Sequence, residues 1–339
     1  MNEDGIIRAQ DKKINWYPGH MAKAKRLLAE QLSRVDVVVE LCDARIPRAS
    51  RNPDLDALLR GKKRLLVLNK ADLAEEDATR AWLSYFRAQG VACMSFDSAR
   101  GRAKDVLSRI EKLAEDAVER MAARGVRKTV RAMIVGVPNV GKSTITNKIN
   151  GASIAKTGDR PGVTRANQWV RVTPYLELLD TPGLLWPKLS DQQDARALAF
   201  VGTINDRIMD QQMLAIELLE WLMQNKQKAA VERFRLKDAT LRGAALLEEA
   251  CRGRGWLLPG GVCDTDRGAS VVLDEFRAGK LGRVSLQRPP KAEKPEKADA
   301  QEPAQGAQAS GGPKPAQAAA EDQNAPRAGT VIPSQEVTP

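Results

Sequence analysis

Short apolar runs alternate with segments of helical periodicity over the first half of the chain. The apolar runs are of the β type: VDVVVELC (35–42), RLLVLN (64–69), VACMSF (91–96), VRAMIVG (130–136), QWVRV (168–172) and YLELLD (175–180). Alternation of this kind predicts an α/β fold, a mostly parallel sheet with helices on both faces. Thr173-Pro174 separates the last two runs, which predicts a hairpin there.

From about Ser190 the β-type runs stop and helical periodicity continues through DQQDARALAFVGTI, QQMLAIELLEWLMQ and RGASVVLDEFRAGKLG. From about Pro289 the sequence is rich in Pro, Ala, Gln, Glu and Lys and has no aromatic residue. Such a segment cannot bury enough apolar surface to offset its chain entropy. We therefore expect an α/β domain over 1–188, a small all-α domain over 189–288 and a disordered tail over 289–339.

Composition narrows the class of protein. With 339 residues and 42% hydrophobic residues, the chain can form roughly two domains with substantial cores. No apolar run is long enough to span a membrane, and the polar start has no signal-peptide pattern, so we expect a soluble cytoplasmic protein without membrane association. A single histidine and four cysteines without a CxxC pair argue against a zinc site or a disulfide framework.

A phosphate-binding loop follows the fourth apolar run. Residues 136–143, GVPNVGKS, match GxxxxGK[ST] at every fixed position, between a predicted strand and a predicted helix. The glycines let backbone N–H groups turn toward phosphates, and this context argues against a chance glycine-rich turn. Lys142 is predicted to bridge the β- and γ-phosphates and Ser143 to bind Mg²⁺. The loop residues predicted to contact the nucleotide are Asn139, Val140, Gly141, Lys142, Ser143 and Thr144.

Two further segments complete a predicted triphosphate site. Asp180 ends an apolar run and opens the sequence DTPG, so its carboxylate can hold Mg²⁺ through water while the Gly183 N–H senses the γ-phosphate. Thr164, in the loop RPGVTR, is predicted to close over Mg²⁺ and the γ-phosphate. Thr157 is the alternative for that role, and an ordinary surface turn is the alternative for the loop.

A base-reading motif lies upstream of the phosphate loop. Asn69, Lys70 and Asp72 form an NKxD sequence at the end of a predicted strand. The Asp72 carboxylate can accept from the N1–H and the 2-amino group of guanine, donors that adenine lacks. The next strand leads to Ser98 and Ala99, the expected backbone support for the guanine O6. These motifs together predict a GTP pocket and disfavour an ATPase.

The motifs occur in an unusual order, because the base reader precedes the phosphate loop. A pocket depends on spatial neighbours, so it survives when the ends of a fold are joined and the chain is opened elsewhere. The sequence therefore predicts a circularly permuted P-loop GTPase fold. Several segments, WYPGHMAKA, DARIP, NKAD, GVPNVGKST, PGVTR and DTPGLLWP, resemble those of the ribosome biogenesis GTPase A family (YlqF/RbgA), and the likeness covers roughly residues 14–286.

The resemblance implies a GTPase that acts late in assembly of the large (50S) ribosomal subunit, binds ribosomal RNA and is stimulated by the particle. Leu184 occupies the position where many small GTPases have a water-orienting glutamine, so slow hydrolysis is expected from the free protein. The resemblance makes His20, the only histidine, a candidate for particle-stimulated hydrolysis; a packed or capping residue is the alternative. Asn139 resembles an asparagine that helps hold a potassium ion, with a turn-forming asparagine as its alternative.

The formal charge of +11 favours a polyanionic partner. The segment MAKAKRLLAEQLSRVD predicts an amphipathic helix with Met21, Leu27, Leu28 and Leu32 inward and Lys23, Lys25 and Arg26 outward. Further basic groups follow along the chain, and charges that only increase solubility are the alternative to a phosphate-binding surface. The candidate phosphate contacts are Arg45, Arg48, Arg51, Lys62, Lys63, Arg64, the segment RMAARGVRKTVR, Arg277, Lys280 and Arg283. We expect a monomer that binds large-subunit precursors and ribosomal RNA, without DNA binding.

Two other functions fit the same pocket. One is a GTP-dependent switch module for a non-ribosomal protein partner. The other is a permuted GTPase of the small subunit, whose typical N-terminal barrel and zinc-binding domain have neither room nor ligands in this sequence.

Overall fold

A six-stranded sheet forms the first part of the described chain. A computed structural model describes residues 28–151, 169–180, 191–204 and 210–290. The strands are β1 (Val37–Asp43), β2 (Lys63–Asn69), β3 (Ala92–Phe96), β4 (Val130–Gly136), β5 (Trp169–Thr173) and β6 (Leu176–Asp180). Their order is β3-β2-β1-β4-β6-β5, and every pair is parallel except the β5–β6 hairpin. The predicted sheet and hairpin are confirmed.

Helices cover both faces of the sheet. Those of the sheet region are α1 (Pro53–Leu58), α2 (Glu76–Ala88), α3 (Ala103–Ala122) and α4 (Lys142–Asn150). Alternate residues of β1 face opposite sides: Val39 belongs to the core cluster of α3, and Val38 to the cluster that contains Leu28 and Leu32. Leu28 and Leu32 are buried in a helical turn over 28–32, as predicted, and the earlier part of that predicted helix lies outside the described residues.

The second part of the described chain is helical. It contains α5 (Gln192–Phe200), α6 (Gln211–Asn225), α7 (Gln227–Phe234), α8 (Gly243–Arg254) and α9 (Thr265–Arg277). Aspartates cap three of these helices: Asp191 for α5, Asp210 for α6 and Asp264 for α9 each accept from a backbone N–H of the first turn. We refer to residues 191–290 as the helical region. No helix of the described chain has the length and apolar character needed to cross a membrane.

The two parts are packed together, and all described residues lie within one compact unit. Lys226, at the start of α7, forms an ion pair with Glu75 before α2, and the Val284 N–H donates to the Leu73 carbonyl at 2.9 Å. The predicted boundary between residues 188 and 189 stays a prediction. Most of the predicted disordered tail, 291–339, lies outside the described residues.

Strand register brings the predicted motifs to one edge of the sheet. Asp43 lies opposite Asn69, Asn69 lies opposite Phe96, and in the other direction Leu41 lies opposite Gly136. The carboxyl ends of these parallel strands therefore meet at one edge, the usual place for a ligand in an open α/β sheet. The base-reading strand β2 precedes the phosphate-loop strand β4 along the chain, which is the predicted permuted order.

Candidate guanine-nucleotide site

The phosphate loop connects β4 to α4, and two of its glycines have no room for a side chain. Gly136 has φ +155°, and a Cβ there would lie 2.6 Å from the Leu41 carbonyl oxygen. Gly141, directly before α4, has φ +96°, and a Cβ there would lie 2.4 Å from the Asn69 Nδ2. Both positions need glycine because the backbone passes close to a neighbouring segment. The loop is thus tightly fitted against β1 and the base-reading segment.

The loop ends at the N-terminus of α4, where Lys142, Ser143 and Thr144 form the first turn. Backbone N–H groups at a helix N-terminus have no partner within the helix and favour an anion. The Lys142 ammonium is buried and donates to the Val137 carbonyl at 2.9 Å, so it lies over its own loop. This arrangement supplies the positive potential that a triphosphate requires.

Asn69 joins three segments that are far apart in the sequence. Its side chain is fully buried; Nδ2 donates to the Val140 carbonyl at 2.7 Å, and Oδ1 accepts from the Ser98 hydroxyl at 2.5 Å. The base-reading motif, the base-support segment and the phosphate loop therefore meet at one amide. The sequence predicted these segments to share a pocket, and the structure brings them together.

Lys70 makes a second connection to the phosphate loop. Its ammonium donates to the Asn139 carbonyl at 2.7 Å and lies 3.4 Å from Asp43 Oδ2. Lys70 has φ +57°, a left-handed conformation that is uncommon for a residue other than glycine. Burial lowers the pKa of the Lys70 ammonium, and the Asp43 carboxylate opposes that shift. Lys70 therefore combines an uncommon backbone conformation with an ammonium whose charge depends on the Asp43 carboxylate.

Asp72 lies beside a second carboxylate that the sequence analysis missed, Asp97. Burial raises the pKa of Asp72, and the nearby Asp97 raises it further. Asp97 Oδ1 accepts from the Ala99 N–H at 2.7 Å and from the Arg100 N–H at 3.0 Å. The signal for this turn was present in the sequence DSAR, because aspartate commonly bonds to backbone N–H groups two and three residues later. Hydrogen-bond donors on a bound base would favour the charged form of Asp72.

A lysine of α4 holds the base-support segment from the other side. The Lys148 ammonium donates to the Ala99 carbonyl at 3.0 Å and to the Gly101 carbonyl at 3.1 Å. Because α4 also begins at the phosphate loop, one helix contacts both ends of the predicted pocket.

The residues suited to a magnesium ion are Ser143, in the first turn of α4, and Asp180, the last residue of β6. Asp180 lies opposite Ile134 of the phosphate-loop strand in a parallel pairing, so its backbone reaches the same edge. A hydroxyl and a carboxylate are oxygen ligands of the kind Mg²⁺ prefers. Within the described ranges no three His, Cys, Asp or Glu side chains form a ready metal cluster. His20, Thr164 and Gly183 lie outside the described residues.

Asn139 connects the phosphate loop to the helical region. Its Nδ2 donates to the Gly202 carbonyl at 2.7 Å, just after the end of α5. At the same helix end, the Arg277 guanidinium of α9 donates to the Phe200 and Ala199 carbonyls at 3.1 and 2.9 Å. The sequence analysis did not predict this contact, because nothing in the local sequence of α5 marks its carbonyls as partners of a distant loop.

The predicted phosphate footprint is wrong at one arginine. Arg45 is only 1% exposed and forms a bidentate ion pair with Asp43, with Nε and Nη2 distances of 2.9 and 2.8 Å. It therefore cannot contact an external phosphate. Several other predicted cations are also engaged in ion pairs, among them the exposed Arg283, which lies 3.8 Å from Glu76. Exposed side chains are also found at Arg120, Arg124, Arg127 and Lys280.

Comparisons with known proteins place the chain among GTPases. Residues 131–237 match the family model described as 50S ribosome-binding GTPase, a match that begins at the phosphate-loop strand. The chain is 43% identical to ribosome biogenesis GTPase A of Bacillus cereus over 81% of this chain and 94% of that protein. It is 34% identical to ribosome biogenesis GTPase A of Thermotoga maritima over 81% of this chain and 95% of that protein.

A solved structure shows the same fold. The structure of GNP-bound YlqF from T. maritima superposes with a TM-score of 0.56 at 28% identity, covering 78% of this chain and 98% of that chain. The motif order, the pocket and these relatives agree: the chain belongs to the ribosome biogenesis GTPase A family, and it is a GTPase.

Proposed function

We propose that the protein binds GTP at the carboxyl edge of its sheet and hydrolyses it while acting in late maturation of the large (50S) ribosomal subunit. The observation that carries the pocket is the buried Asn69 amide, which joins the base-reading motif, the base-support segment and the phosphate loop. The names of the relatives supply the ribosomal context, and the proposal extends that context to this chain.

Base recognition rests on Asp72. Its carboxylate accepts from the N1–H and the 2-amino group of guanine, while Lys70 lies against the ring and the Ala99 N–H supports O6. Asp97 now accepts from that N–H, so guanine binding requires the Ala99 N–H to be shared or released. Adenine leaves the partly buried carboxylate without its donors, and sites built on such donors reject the wrong analogue by about 10⁴-fold.

Phosphate binding uses the loop and the first turn of α4. Lys142 neutralises charge on the β- and γ-phosphates, and backbone N–H groups of the loop orient them. Ser143, Asp180 and Thr164 are the residues that would hold a magnesium ion, which when bound supplies positive charge to the phosphate oxygens. Gly183 contributes its N–H on the γ-phosphate side.

Hydrolysis needs help from outside the pocket, because Leu184 cannot orient water. We assign that role to His20 when the protein is bound to the ribosomal particle. Asn139 is the residue that would bind a potassium ion. The amide oxygen is the atom suited to an ion, because the amide nitrogen is a hydrogen-bond donor, here to Gly202. Additional positive charge near the β- and γ-phosphates favours the transition state of phosphoryl transfer.

The helical region reports the nucleotide state in this proposal. Asn139 of the phosphate loop contacts the end of α5, and Arg277 of α9 contacts the same end. A nucleotide that moves the loop therefore acts on two helices of that region, which is a physical route for a switch.

The partner in this proposal is the large-subunit precursor with its ribosomal RNA, bound by a monomeric, cytoplasmic protein. Exposed arginines after α3, Arg124 and Arg127, are suited to the phosphate backbone. Arg283 after α9 would exchange its exposed ion pair with Glu76 for such a contact. Contacts of this kind release counterions, so binding should weaken steeply as salt rises.

The test is GTP turnover by wild type and His20→Ala, with and without purified large subunits, in potassium and in sodium. We expect large subunits to raise turnover of the wild type by about 10²-fold or more, within the range that a catalytic group supplied on contact provides. His20→Ala should lose most of that increase and keep its GTP affinity. Sodium should lower turnover if Asn139 holds potassium.

Three outcomes would count against parts of the proposal. Unchanged particle-stimulated turnover in His20→Ala would remove the role of His20. Equal rates in potassium and sodium would remove the potassium role of Asn139. Failure to co-sediment with large subunits in the presence of a non-hydrolysable GTP analogue would favour the alternative, a GTP-dependent switch for a non-ribosomal protein.

A further inference from the structure

The segment DARIP, residues 43–47, begins at the last residue of β1 and belongs to none of the predicted nucleotide motifs. β1 lies between β2, which carries the base reader, and β4, which carries the phosphate loop. Its last residue, Asp43, lies opposite Asn69 in the parallel register, and the next N–H, of Ala44, donates to the Asn69 carbonyl at 2.8 Å. The segment therefore borders the base reader at the carboxyl edge.

Asp43 is a buried carboxylate that all its partners hold in one orientation. Oδ1 accepts from the N–H and the Nε of Arg45 at 3.0 and 2.9 Å, and Oδ2 accepts from Nη2 at 2.8 Å. The Ser50 hydroxyl accepts from the Asp43 N–H at 3.0 Å. The remaining neighbour of Oδ2 is the Lys70 ammonium at 3.4 Å. Asp43 thus connects a buried arginine to the lysine of the base-reading motif.

The charges in this cluster stabilise one another. Burial works against the ionised form of Asp43, but Arg45 and Lys70 hold the pKa of this carboxyl well below its usual range. The charged groups that act on Lys70 are Asp43, Arg45 and Asp72. Without the Asp43 anion, the buried Arg45 and the partly buried Lys70 would face each other as two cations, and Lys70 would lose its ion pair at 3.4 Å. Arg45 also lowers the pKa of Asp72, against the effects of burial and of Asp97.

Arg45 extends the cluster to the helical region. Its guanidinium lies 5.4 Å from the centre of the Phe276 ring of α9, and its carbonyl accepts from the Leu286 N–H at 2.9 Å. Its Nη1 is buried and makes no hydrogen bond within the described part of the chain. The arginine is therefore held by Asp43 on one side and by an aromatic ring on the other.

We propose that Asp43 and Arg45 are positioning residues of the guanine pocket. Asp43 holds the Lys70 ammonium against the Asn139 carbonyl, and Arg45 holds Asp43. The lysine stem is thereby fixed where the base lies, and the left-handed backbone of Lys70 is retained. This inference deepens the proposed function, since it rests on the assignment of Lys70 and Asp72 to the base.

The chain offers a matched control on the same strand. Glu40, three residues before Asp43 on β1, is fully buried and bonded by Arg64, whose Nε lies 2.9 Å from Oε2. Arg51 lies 3.6 Å from the same oxygen. Glu40 therefore resembles Asp43 in burial and in its arginine partners, but its side chain is bonded to none of the nucleotide motifs. Glu40→Gln should measure the cost of disturbing a buried ion pair in this sheet without disturbing the pocket.

The experiment is calorimetric titration of GDP into the full chain, comparing wild type, Asp43→Asn, Glu40→Gln, Lys70→Met and the double variant Asp43→Asn with Lys70→Met. We expect Asp43→Asn to weaken GDP binding about 10-fold or more, the scale of a lost charge-assisted contact. Glu40→Gln should stay within about 3-fold of wild type, as for a change outside the site. When Lys70 is already replaced by methionine, Asp43→Asn should change GDP affinity by less than about 3-fold, because Asp43 acts through Lys70.

The outcomes separate positioning from stability. The proposal is overturned if Asp43→Asn binds GDP no worse than Glu40→Gln does. It is also overturned if Asp43→Asn causes the same loss of GDP affinity with lysine and with methionine at position 70. If Asp43→Asn does not fold, Arg45→Lys takes its place. That change keeps the cation, loses the bidentate contact and should weaken GDP binding only when Lys70 is present. Asp72→Asn tests the pocket itself. If Asp72→Asn binds GDP like wild type, the assignment of Asp72 to the base is refuted. If Asp72→Asn loses GDP affinity but Asp43→Asn does not, only the positioning role of Asp43 is refuted.

Discussion

The carboxyl edge of the sheet and the helical region both bury charged side chains, but they connect them differently. At the edge, Asn69 and Lys70 both donate to the phosphate loop, Asn69 also accepts from Ser98 of the base-support segment, and Asp43 pairs with Lys70. In the helical region, Glu275 of α9 binds Arg233 of α7 and Arg254 of α8. Buried polar side chains at the edge therefore fix the geometry of the nucleotide pocket. Those of the helical region fix the packing of helices against one another.

The largest effect that this comparison predicts is for Gly141→Ala at the edge. A Cβ would lie 2.4 Å from Asn69 Nδ2, and the φ of +96° is strained for alanine. Displacing Asn69 would break its bonds to Val140 and Ser98. Strain and two lost hydrogen bonds together cost about 3 kcal/mol, so GDP affinity measured by calorimetry should fall about 100-fold.

Gly125, after α3, is the control for this variant. It has φ +73°, and a Cβ there would meet no atom within 4 Å. Gly125→Ala therefore introduces backbone strain at a positive φ without a collision and should leave GDP affinity unchanged. If both variants bind GDP like wild type, the close approach of Gly141 to Asn69 has no role in the site.

Much of this edge could be predicted from the sequence. The six apolar runs predicted the six strands, because each run is long enough to be buried and is flanked by turn residues. The motifs Asn69–Asp72 and Gly136–Ser143 carry fixed spacing, so their shared pocket followed once their order was explained. Motif spacing is informative here because phosphates and bases impose the same geometry on any chain that binds them.

The second prediction concerns the helical region. Glu275→Gln should lower the free energy of unfolding by about 2–3 kcal/mol, because two arginines lose their shared carboxylate. This loss is smaller than the roughly 3–5 kcal/mol expected for a fully buried pair, because Arg233 is 33% exposed and Arg254 is 22% exposed. Urea unfolding measures the change, and GDP affinity should remain unchanged.

The same variant has a pH signature. Burial opposes the charge of Glu275, but Arg233 and Arg254 outweigh it and lower the pKa of this carboxyl. A lowered folded-state pKa stabilises the protein above the unfolded-state pKa, near 4.3, and this stabilisation is lost as pH falls through the folded-state value. The difference between wild type and Glu275→Gln should therefore be constant above about pH 5.5 and shrink below it.

Glu248 provides the comparison for this region. It forms a solvent-exposed ion pair with Arg252 one turn along α8. Glu248→Gln should change stability by less than about 0.5 kcal/mol, as for other exposed helical pairs. Equal losses in Glu248→Gln and Glu275→Gln would contradict the view that the buried carboxylate holds α7, α8 and α9 together.

Other contacts could not be predicted from the sequence, for a physical reason. Arg45 was expected at the surface because it stands in a basic segment, but its burial depends on Asp43 and on Phe276, which is distant in the sequence. The bond from Asn139 to Gly202 likewise joins a loop to the end of a helix in another part of the chain. Charge alone does not indicate whether a cation faces solvent or a partner, since the partner is specified only by the folded arrangement.

The smallest effect expected in the comparison is at Lys148 of α4. Its ammonium holds the Ala99 and Gly101 carbonyls from a partly exposed position, so the two hydrogen bonds are modest. Lys148→Met keeps the apolar stem and removes the bonds, which should lower GDP affinity about 3-fold. Because Ala99 is predicted to support the base and not the phosphates, pyrophosphate should bind as in wild type.

The control is Lys112→Met, which removes an exposed lysine of α3 away from the pocket. This variant should bind GDP like wild type. A parallel loss of GDP and pyrophosphate affinity in Lys148→Met would show that α4 acts on the phosphate loop and not on the base-support segment.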